Sequence, residues 1–420
     1  MSVGCRRNAA VLGSLLLLSS LGFGAWTQLT LGVPADLMAV HFPAGTQVGY
    51  AVGVGPDSVG GFGGIVVKTT DGGANWTAKS TGTLGVLSSV YFTNDDNGYA
   101  VGEAGTALRT TDGGANWTAM TIPAGSGFLT KVQFPERTQV GYIGVHPSSL
   151  GKVLKTTDGG SNWSAIAVGG PMATSYSCGM ATDNIGVVLG YGGMLYGTTD
   201  GFGGGATQGP LTIADLVAAA FSPTDPNTGY LIGNDTATGL GVIRYTDDGG
   251  ANLWDTVRCW NVPTFYGVDV PATDRAYICG SGGNILRSVS PTDFFRTTVP
   301  DGFTTTINGL CFPAGVDTGY AVGAAGTILK TTDGGKPLLP GVAEGKAPAI
   351  GRTGIRVVSN PSRLGIALHS DANVNVVVYD AAGRTVLRQA ATTGTNFLRL
   401  SAGAYFVKAG AQTARAVVTD

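Results

Sequence analysis

The sequence predicts an all-β fold: a seven-bladed β-propeller closed by an N-terminal strand, followed by a small β-sandwich. Three observations lead there. A segment of the form T-x-D-G-G-x-N-W returns at a regular interval. A second segment, V-x-F followed by G-Y-A-V-G, precedes most copies, and the pattern changes after residue 354. Composition agrees. Glycine supplies 69 of 420 residues, more than twice the usual share of roughly 7%. The apolar share of 43% is enough for a core and excludes disorder by low hydrophobicity. The glycines follow no three-residue period, which excludes collagen. Twenty-five Lys and Arg against 27 Asp and Glu leave no basic field to hold a nucleic-acid backbone.

The N-terminus reads as an export signal over residues 1–24. Arg6 and Arg7 precede the mostly apolar run from Val11 to Phe23, and small residues follow at Gly22, Gly24 and Ala25. The run is short for a membrane span, and no later stretch reaches the length of one. The mature chain is therefore expected to have no transmembrane segment and to be monomeric. Export permits disulfides, so Cys178, Cys259, Cys279 and Cys311 are either paired or buried as thiols.

The propeller is expected over residues 25–336. KTTDGGANWTA at 68–78 returns at 109–119 and, as KTTDGGSNWSA, at 155–165, and degraded copies follow. The reference position falls at 71, 112, 158, 200, 247, 290 and 333, with Ser at 290 and Asp elsewhere. The mean separation is near 44, the length of a four-stranded propeller blade. Within each unit V-x-F alternates as a first strand, G-Y-A-V-G forms a second, the K/R-T-T segment a third, and Trp opens a fourth. The seventh unit has no Trp after Gly335. Trp26 supplies one, because it precedes Val40 by 14 residues just as Trp76 precedes Val90. The N-terminal strand is thus expected to complete the last blade and protect its open edge.

The T-x-D-G-G-x-N-W turn has a structural logic. An Asp carboxylate accepts backbone N–H groups of its own turn, glycines permit positive φ, and Trp fills the space between sheets. It resembles the Asp-box, or BNR repeat, written S/T-x-D-x-G-x-T/S-W, with Asn75 in place of the hydroxyl residue. The longer string GYAVGEAGTALRTTDGGANW at 98–117 resembles the propeller repeat of the photosystem II assembly factor family (Ycf48-like), over residues 26 to about 336. The resemblance implies a folding role, remote from the binding face, for Asp71, Trp76, Asp112, Trp117, Asp158, Trp163, Asp200, Asp247, Trp254 and Asp333. Metal binding is not expected, since no D-x-D-x-D spacing occurs, and no cofactor motif stands out.

Sialidases also carry such boxes, and likeness to them would require an arginine triad and a Tyr–Glu pair. Arg109, Arg244 and Arg287 share one repeat position with Lys68, Lys155 and Lys330, which marks them as scaffold charges. A paired-carboxylate glycosidase could draw only on Glu103 with Asp57 or Asp235. A ligand is expected on the rim opposite the boxes, built from the connections between second and third strands and from each fourth strand to the next first strand. Its candidate contacts are Phe62, Glu103, Phe128, Tyr176, Tyr191, Phe265, Tyr266 and Phe303, which suit a protein or a glycan.

Residues 337–353, rich in Pro, Gly and Ala, read as a linker. Residues 354–420 then carry Asn360-Pro361, V-x-V-Y-D-A-A-G-R at 376–384 and L-S-A-G-A-Y-F-V at 400–407. They resemble the C-terminal sorting domain of the type IX secretion system (type A), an immunoglobulin-like sandwich. The terminus lacks a basic ending, which leaves open a related module of the flagellar-hook-cap type. The resemblance implies secretion machinery as a partner and an extracellular or outer-membrane surface location. Three functions remain: a protein- or glycan-binding propeller, a carbohydrate-active hydrolase on the same scaffold, and an assembly factor similar to the photosystem one.

Overall fold

The computed structural model describes residues 26–335 and 355–419, apart from 33, 44, 57–61, 147–150, 169–174, 205–213, 251–253, 258–263, 289, 292–293, 298 and 301 in the first stretch, and 360–361, 364, 371–372, 381–383, 393, 402 and 410–411 in the second. The expected signal segment, the linker and Cys259 lie outside the described residues. Backbone contacts divide the chain between Pro337 and Leu338 into two compact units.

The first unit is a β-propeller of seven antiparallel sheets among the described residues. Sheet I contains Asp36–His41, Gly49–Pro56, Phe62–Thr69 and Thr77–Ser80. Sheet II contains Leu87–Phe92, Gly98–Gly102, Ala107–Thr110 and Thr118–Ala119. Sheet III contains Phe128–Gln133, Gly141–His146, Lys152–Thr156 and Ser164–Ala167. Sheet IV has three described strands, Ser175–Met180, Gly186–Gly190 and Leu195–Thr198. Sheet V contains Ala214–Phe221, Gly229–Asp235, Gly241–Thr246 and Asp255–Val257, and sheet VI contains Phe265–Ala272, Arg275–Gly280, Ile285–Ser288 and Phe294–Arg296. Sheet VII joins Ile307–Ala314, Thr318–Gly323 and Thr327–Thr331 to the N-terminal strand Thr27–Thr30. Each first strand packs on the first strand of the next sheet, and that of sheet VII returns to that of sheet I, so the ring closes.

The core consists of one apolar cluster at each of the seven seams between neighbouring sheets. The repeat motifs build these seams. At seam I/II, Tyr50 of G-Y stacks on Phe92 of V-x-F with ring centroids 3.6 Å apart. The same pairs are Tyr99 with Phe134 at 4.3 Å, Tyr277 with Phe312 at 3.7 Å and Tyr320 with Phe42 at 4.0 Å. Each such Phe also meets a Trp edge-on: Phe42 and Trp76 at 5.9 Å, Phe92 and Trp117 at 6.0 Å. The Phe ring also covers the glycine before the Tyr of its own sheet. A Cβ at Gly49, Gly98, Gly141 or Gly319 would run into Phe42, Phe92, Phe134 or Phe312, so that glycine is a packing requirement.

Closure follows the same geometry. Thr27 to Thr30 pair antiparallel with Lys330 to Thr327. Trp26 is 1% exposed and meets Phe312 edge-on at 5.9 Å, the relation Trp76 has to Phe42. Its indole N–H donates to Thr297 Oγ1 at 3.1 Å.

The second unit has a three-stranded sheet, Ile355–Ser359, Gly365–Ser370 and Gly394–Arg399, and a five-stranded sheet. The five-stranded sheet is made of Ser362–Arg363, Gln412–Thr419, Gly403–Ala409, Val374–Asp380 and Thr385–Ala391. Ile366, Leu368 and Leu398 of the smaller sheet share one buried cluster with Val376, Val378, Tyr405 and Val407 of the larger, so the two sheets face each other.

Of the four cysteines that follow the expected signal segment, Cys178, Cys279 and Cys311 are free thiols. Burial pushes the Cys178 thiol up to about 11 and raises Cys279 and Cys311 further, so all three are poor nucleophiles.

Trp26→Ala should remove an aromatic fully enclosed by two sheets and cost about 3–5 kcal/mol, read as a lowered urea midpoint. A variant beginning at residue 36 that remained monomeric and equally heat-stable would overturn closure by this strand.

Candidate functional site

Two rims bound the propeller. The box rim carries the connections from third to fourth strands. There the buried Thr69 hydroxyl donates to Asp71 Oδ1 at 2.8 Å and accepts the Gly73 N–H at 2.9 Å. Asp71 then accepts the Asn75 N–H at 2.9 Å and the Asn75 amide at 2.7 Å. Asp112 and Asp158 repeat all these bonds. Asn75 therefore serves the carboxylate where the Asp-box pattern has a hydroxyl. These donors, the Asn N–H foremost, hold the carboxyls of Asp71, Asp112 and Asp158 down to about 2, and the Thr198 hydroxyl lowers Asp200. Asp333 accepts from Thr331 in the same manner.

One aspartate was misplaced by sequence. Thr246 donates to Asp248 at 2.7 Å, so Asp248 and not Asp247 is the fifth box aspartate. The Y-T-D-D-G-G string offers two adjacent carboxylates, and only the second stands two residues after the buried threonine. In sheet IV, Phe202 takes the second glycine position at φ 68°. Its buried ring meets Tyr142 edge-on at 6.2 Å and supplies the aromatic that this unit's missing Trp would give.

Most box turns also receive the neighbouring sheet. Gly113 O accepts Tyr50 Oη at 2.9 Å and Lys68 Nζ at 2.7 Å from sheet I. Gly72 O accepts Tyr320 Oη at 2.7 Å and Lys330 Nζ at 2.6 Å from sheet VII. Gly159 O accepts Tyr99 Oη at 2.7 Å, and Arg109 lies over the Tyr99 ring. The repeated basic position is thus committed to the scaffold.

The opposite rim carries the connections from second to third strands and from each fourth strand to the next first strand. In sheets II, IV and VI the second-to-third connection is one 3₁₀ turn, Glu103–Gly105, Tyr191–Gly193 and Ser281–Gly283. The residue in the middle of each has positive φ, 52° at Ala104, 61° at Gly192 and 66° at Gly282. Glu103 and Tyr191 therefore occupy one register position and project alike. Phe62 is 68% exposed, Tyr191 40% and Tyr266 44%, while Phe128 and Phe303 are half-buried. Phe265 is a correction: it is fully buried in the seam between sheets V and VI. Phe265 and Tyr266 are consecutive in one strand, so only one can face outward. The Tyr176 side chain lies outside the described residues.

Two residues here were missed by sequence reasoning. Leu84 is 90% exposed, in a connection where the signal was one large aliphatic among Ser, Thr and Gly. His146 ends the second strand of sheet III, 3.4 Å from Tyr191 Oη and edge-on to Phe128. A concavity of about 530 Å³ lined by Gln28, Leu29, Leu31, Gly32, Pro34, Ala325 and Gly326 opens on the same rim. The box rim has one of about 350 Å³ between Pro43, Thr46, Asn94, Asp95, Asp96 and Arg137.

The carboxylates weighed for hydrolysis have structural duties. Glu103 Oε2 accepts the Val86 N–H at 3.1 Å, and Asp235 Oδ1 accepts the Ala237 N–H at 2.8 Å. Asp57 lies outside the described residues. His41 is half-buried, with Nε2 donating to Phe92 O at 3.1 Å, and desolvation of its ring holds the imidazole down to about 4. Among the described residues no group of three metal-ligating side chains occurs, and no helix is long and apolar enough to cross a membrane.

The box carboxyls make acid stability a direct readout. Their folded pKa of about 2 lies below the ordinary 3.8. Their contribution is therefore complete above about pH 4 and lost as pH falls through 2. Asp112→Asn should lower stability at pH 7 and flatten its fall between pH 4 and 2; an unchanged pH profile would contradict this role.

Residues 80–202 match the family described as photosynthesis system II assembly factor YCF48, and residues 358–419 match the secretion system C-terminal sorting domain. No curated protein sequence matches the chain. Among solved structures, a YCF48 bound to a D1 peptide is 19% identical, with a TM-score of 0.57 over 74% of this chain and 98% of that one. YCF48 from Cyanidioschyzon merolae is also 19% identical, at 0.55 over 73% and 98%. The WD40 propeller domain of Doa1 is 14% identical, at 0.53 over 72% and 96%. At these identities the structures speak for the fold. The chain thus joins a propeller with YCF48-like BNR repeats to a C-terminal secretion-system sorting domain.

Proposed function

We propose that this protein is an exported propeller that binds a protein or glycan on the rim opposite the Asp-box turns. In this reading the C-terminal unit hands the propeller to the secretion machinery for release or display at the cell surface. One observation carries the proposal. The large apolar side chains that the propeller leaves exposed among the described residues, Phe62, Leu84, Tyr191 and Tyr266, all lie in connections of that rim or at the strand ends beside them. Exposed aromatics of this kind are the anchors that macromolecular contacts use. The likeness to a YCF48 bound to a peptide favours a polypeptide as the ligand.

A glycan array and a pull-down with the full chain test this. The protein should retain a ligand, and the double variant Tyr191→Ala, Tyr266→Ala should weaken retention about tenfold or more with the thermal midpoint unchanged. Turnover of a glycan that falls with Glu103→Gln would instead favour a hydrolase. Retention that survives substitution of every exposed rim aromatic would overturn the assignment.

A further inference from the structure

We infer that one sector of this rim, across the seam between sheets I and II, is a docking surface for a basic polypeptide segment bearing a large apolar side chain. The inference rests on the binding rim proposed above and deepens it. Three groups converge there. Phe62 begins the third strand of sheet I, and Leu84 lies in the connection from sheet I to sheet II. The two emerge from adjoining backbone. Gly64 N–H donates to Thr83 O at 3.0 Å, and the Cβ direction of Gly63 points at Thr83 O and lies 3.4 Å from the Leu84 Cα. Any side chain at Gly63 would push the two backbones apart. Glu103 completes the sector: its Cβ lies 3.0 Å from the Cβ position of Gly85, next to Leu84.

The exposures are those of a contact surface. Leu84 at 90% and Phe62 at 68% are the most exposed large apolar residues among those described. The Glu103 carboxylate is exposed beside them. It is held in place through Oε2 by the Val86 N–H, and no described residue bonds Oε1. A fixed carboxylate beside an apolar pair recognises a cation carried next to an apolar anchor.

Charge around the rim selects the same partner. Asp36 Oδ1 accepts the Ala325 N–H at 2.9 Å, Asp215 Oδ1 the Gly192 N–H at 3.0 Å and Asp235 Oδ1 the Ala237 N–H at 2.8 Å. Each thus fixes a carboxylate on this rim through one oxygen. Against these stand fewer cations: Lys152, whose side chain reaches Gly125 O, and the exposed Lys79 and Arg296 of the fourth strands of sheets I and VI. A segment rich in Lys or Arg therefore meets complementary charge, and an acidic one meets repulsion.

The test uses the full chain and an immobilised array of synthetic ten-residue peptides that vary independently in Phe or Leu content and in Lys, Arg or Glu content. Peptides with an apolar residue beside Lys or Arg should be retained, and Glu-containing counterparts should not. The double variant Phe62→Ser, Leu84→Ser should lower retention about tenfold or more. Glu103→Gln keeps an acceptor for Val86, so it should remove the preference for Lys and Arg while leaving the thermal midpoint in place. Retention lost only on substitution of Tyr191 and Tyr266 would overturn this sector and leave the binding rim standing. Peptide retention indifferent to all of these changes, or none at all from an array that a glycan array then replaces as ligand, would overturn the sector outright.

Discussion

The carbonyl oxygen of the glycine that follows each box aspartate holds the ring together. At Gly72, Gly113, Gly159 and Gly334 it faces the neighbouring sheet and receives a tyrosine hydroxyl, and at Gly72 and Gly113 a lysine ammonium as well. The carbonyl can do so only because the turn is fixed in shape. A buried threonine hydroxyl and an aspartate carboxylate take up its N–H groups, and two glycines accept positive φ. The box is therefore a socket, and the G-Y segment of the preceding sheet is the plug. Stacking of the same tyrosine on the next sheet's Phe adds the apolar half of the contact.

The rule also shows where the ring departs from it. Sheet IV has Val187 where the other sheets have Tyr, so the core of seam IV/V is the apolar cluster of Val187, Leu189, Leu216, Leu231 and Trp254, with no described tyrosine reaching the box turn of sheet V. A different device spans it. Lys131 of sheet III is half-buried and reaches across to Ala219 O of sheet V at 2.8 Å. Gly179, in the first strand of sheet IV, lies so close to Ala219 that even a Cβ would crowd it. Asp269 works similarly between sheets VI and VII, accepting the Phe312 N–H at 2.7 Å; burial raises its carboxyl to about 6.

The repeat, its four-strand content and the closing strand were legible because each motif residue has a single physical task repeated at a fixed interval. Trp26 was legible by register alone, since its spacing to Val40 matches that of Trp76 to Val90. The binding rim was only partly legible. Exposure in a strand alternates, so Phe265 and Tyr266 cannot be told apart without knowing the bulges, and the first strand of sheet VI is irregular between Phe265 and Gly267. Asp247 and Asp248 differ by one position in an insertion that shifts the turn. Leu84 and His146 carry no motif, and their grouping with Phe62 and with Tyr191 depends on which connections the ring brings side by side.

Urea unfolding of Tyr→Phe variants isolates the hydroxyl that enters these sockets, because stacking is retained. At seam II/III the Gly159 carbonyl has Tyr99 as its side-chain donor, whereas at seam I/II the Gly113 carbonyl keeps Lys68 when Tyr50 is changed. Tyr99→Phe should therefore cost about 1–3 kcal/mol and Tyr50→Phe about 0.5–1.5 kcal/mol, the difference between stranding a buried acceptor and thinning its donors. Tyr196→Phe, whose hydroxyl bonds no described residue, should cost little. Equal and negligible losses at Tyr99, Tyr50 and Tyr196 would show that the hydroxyls do not hold the ring.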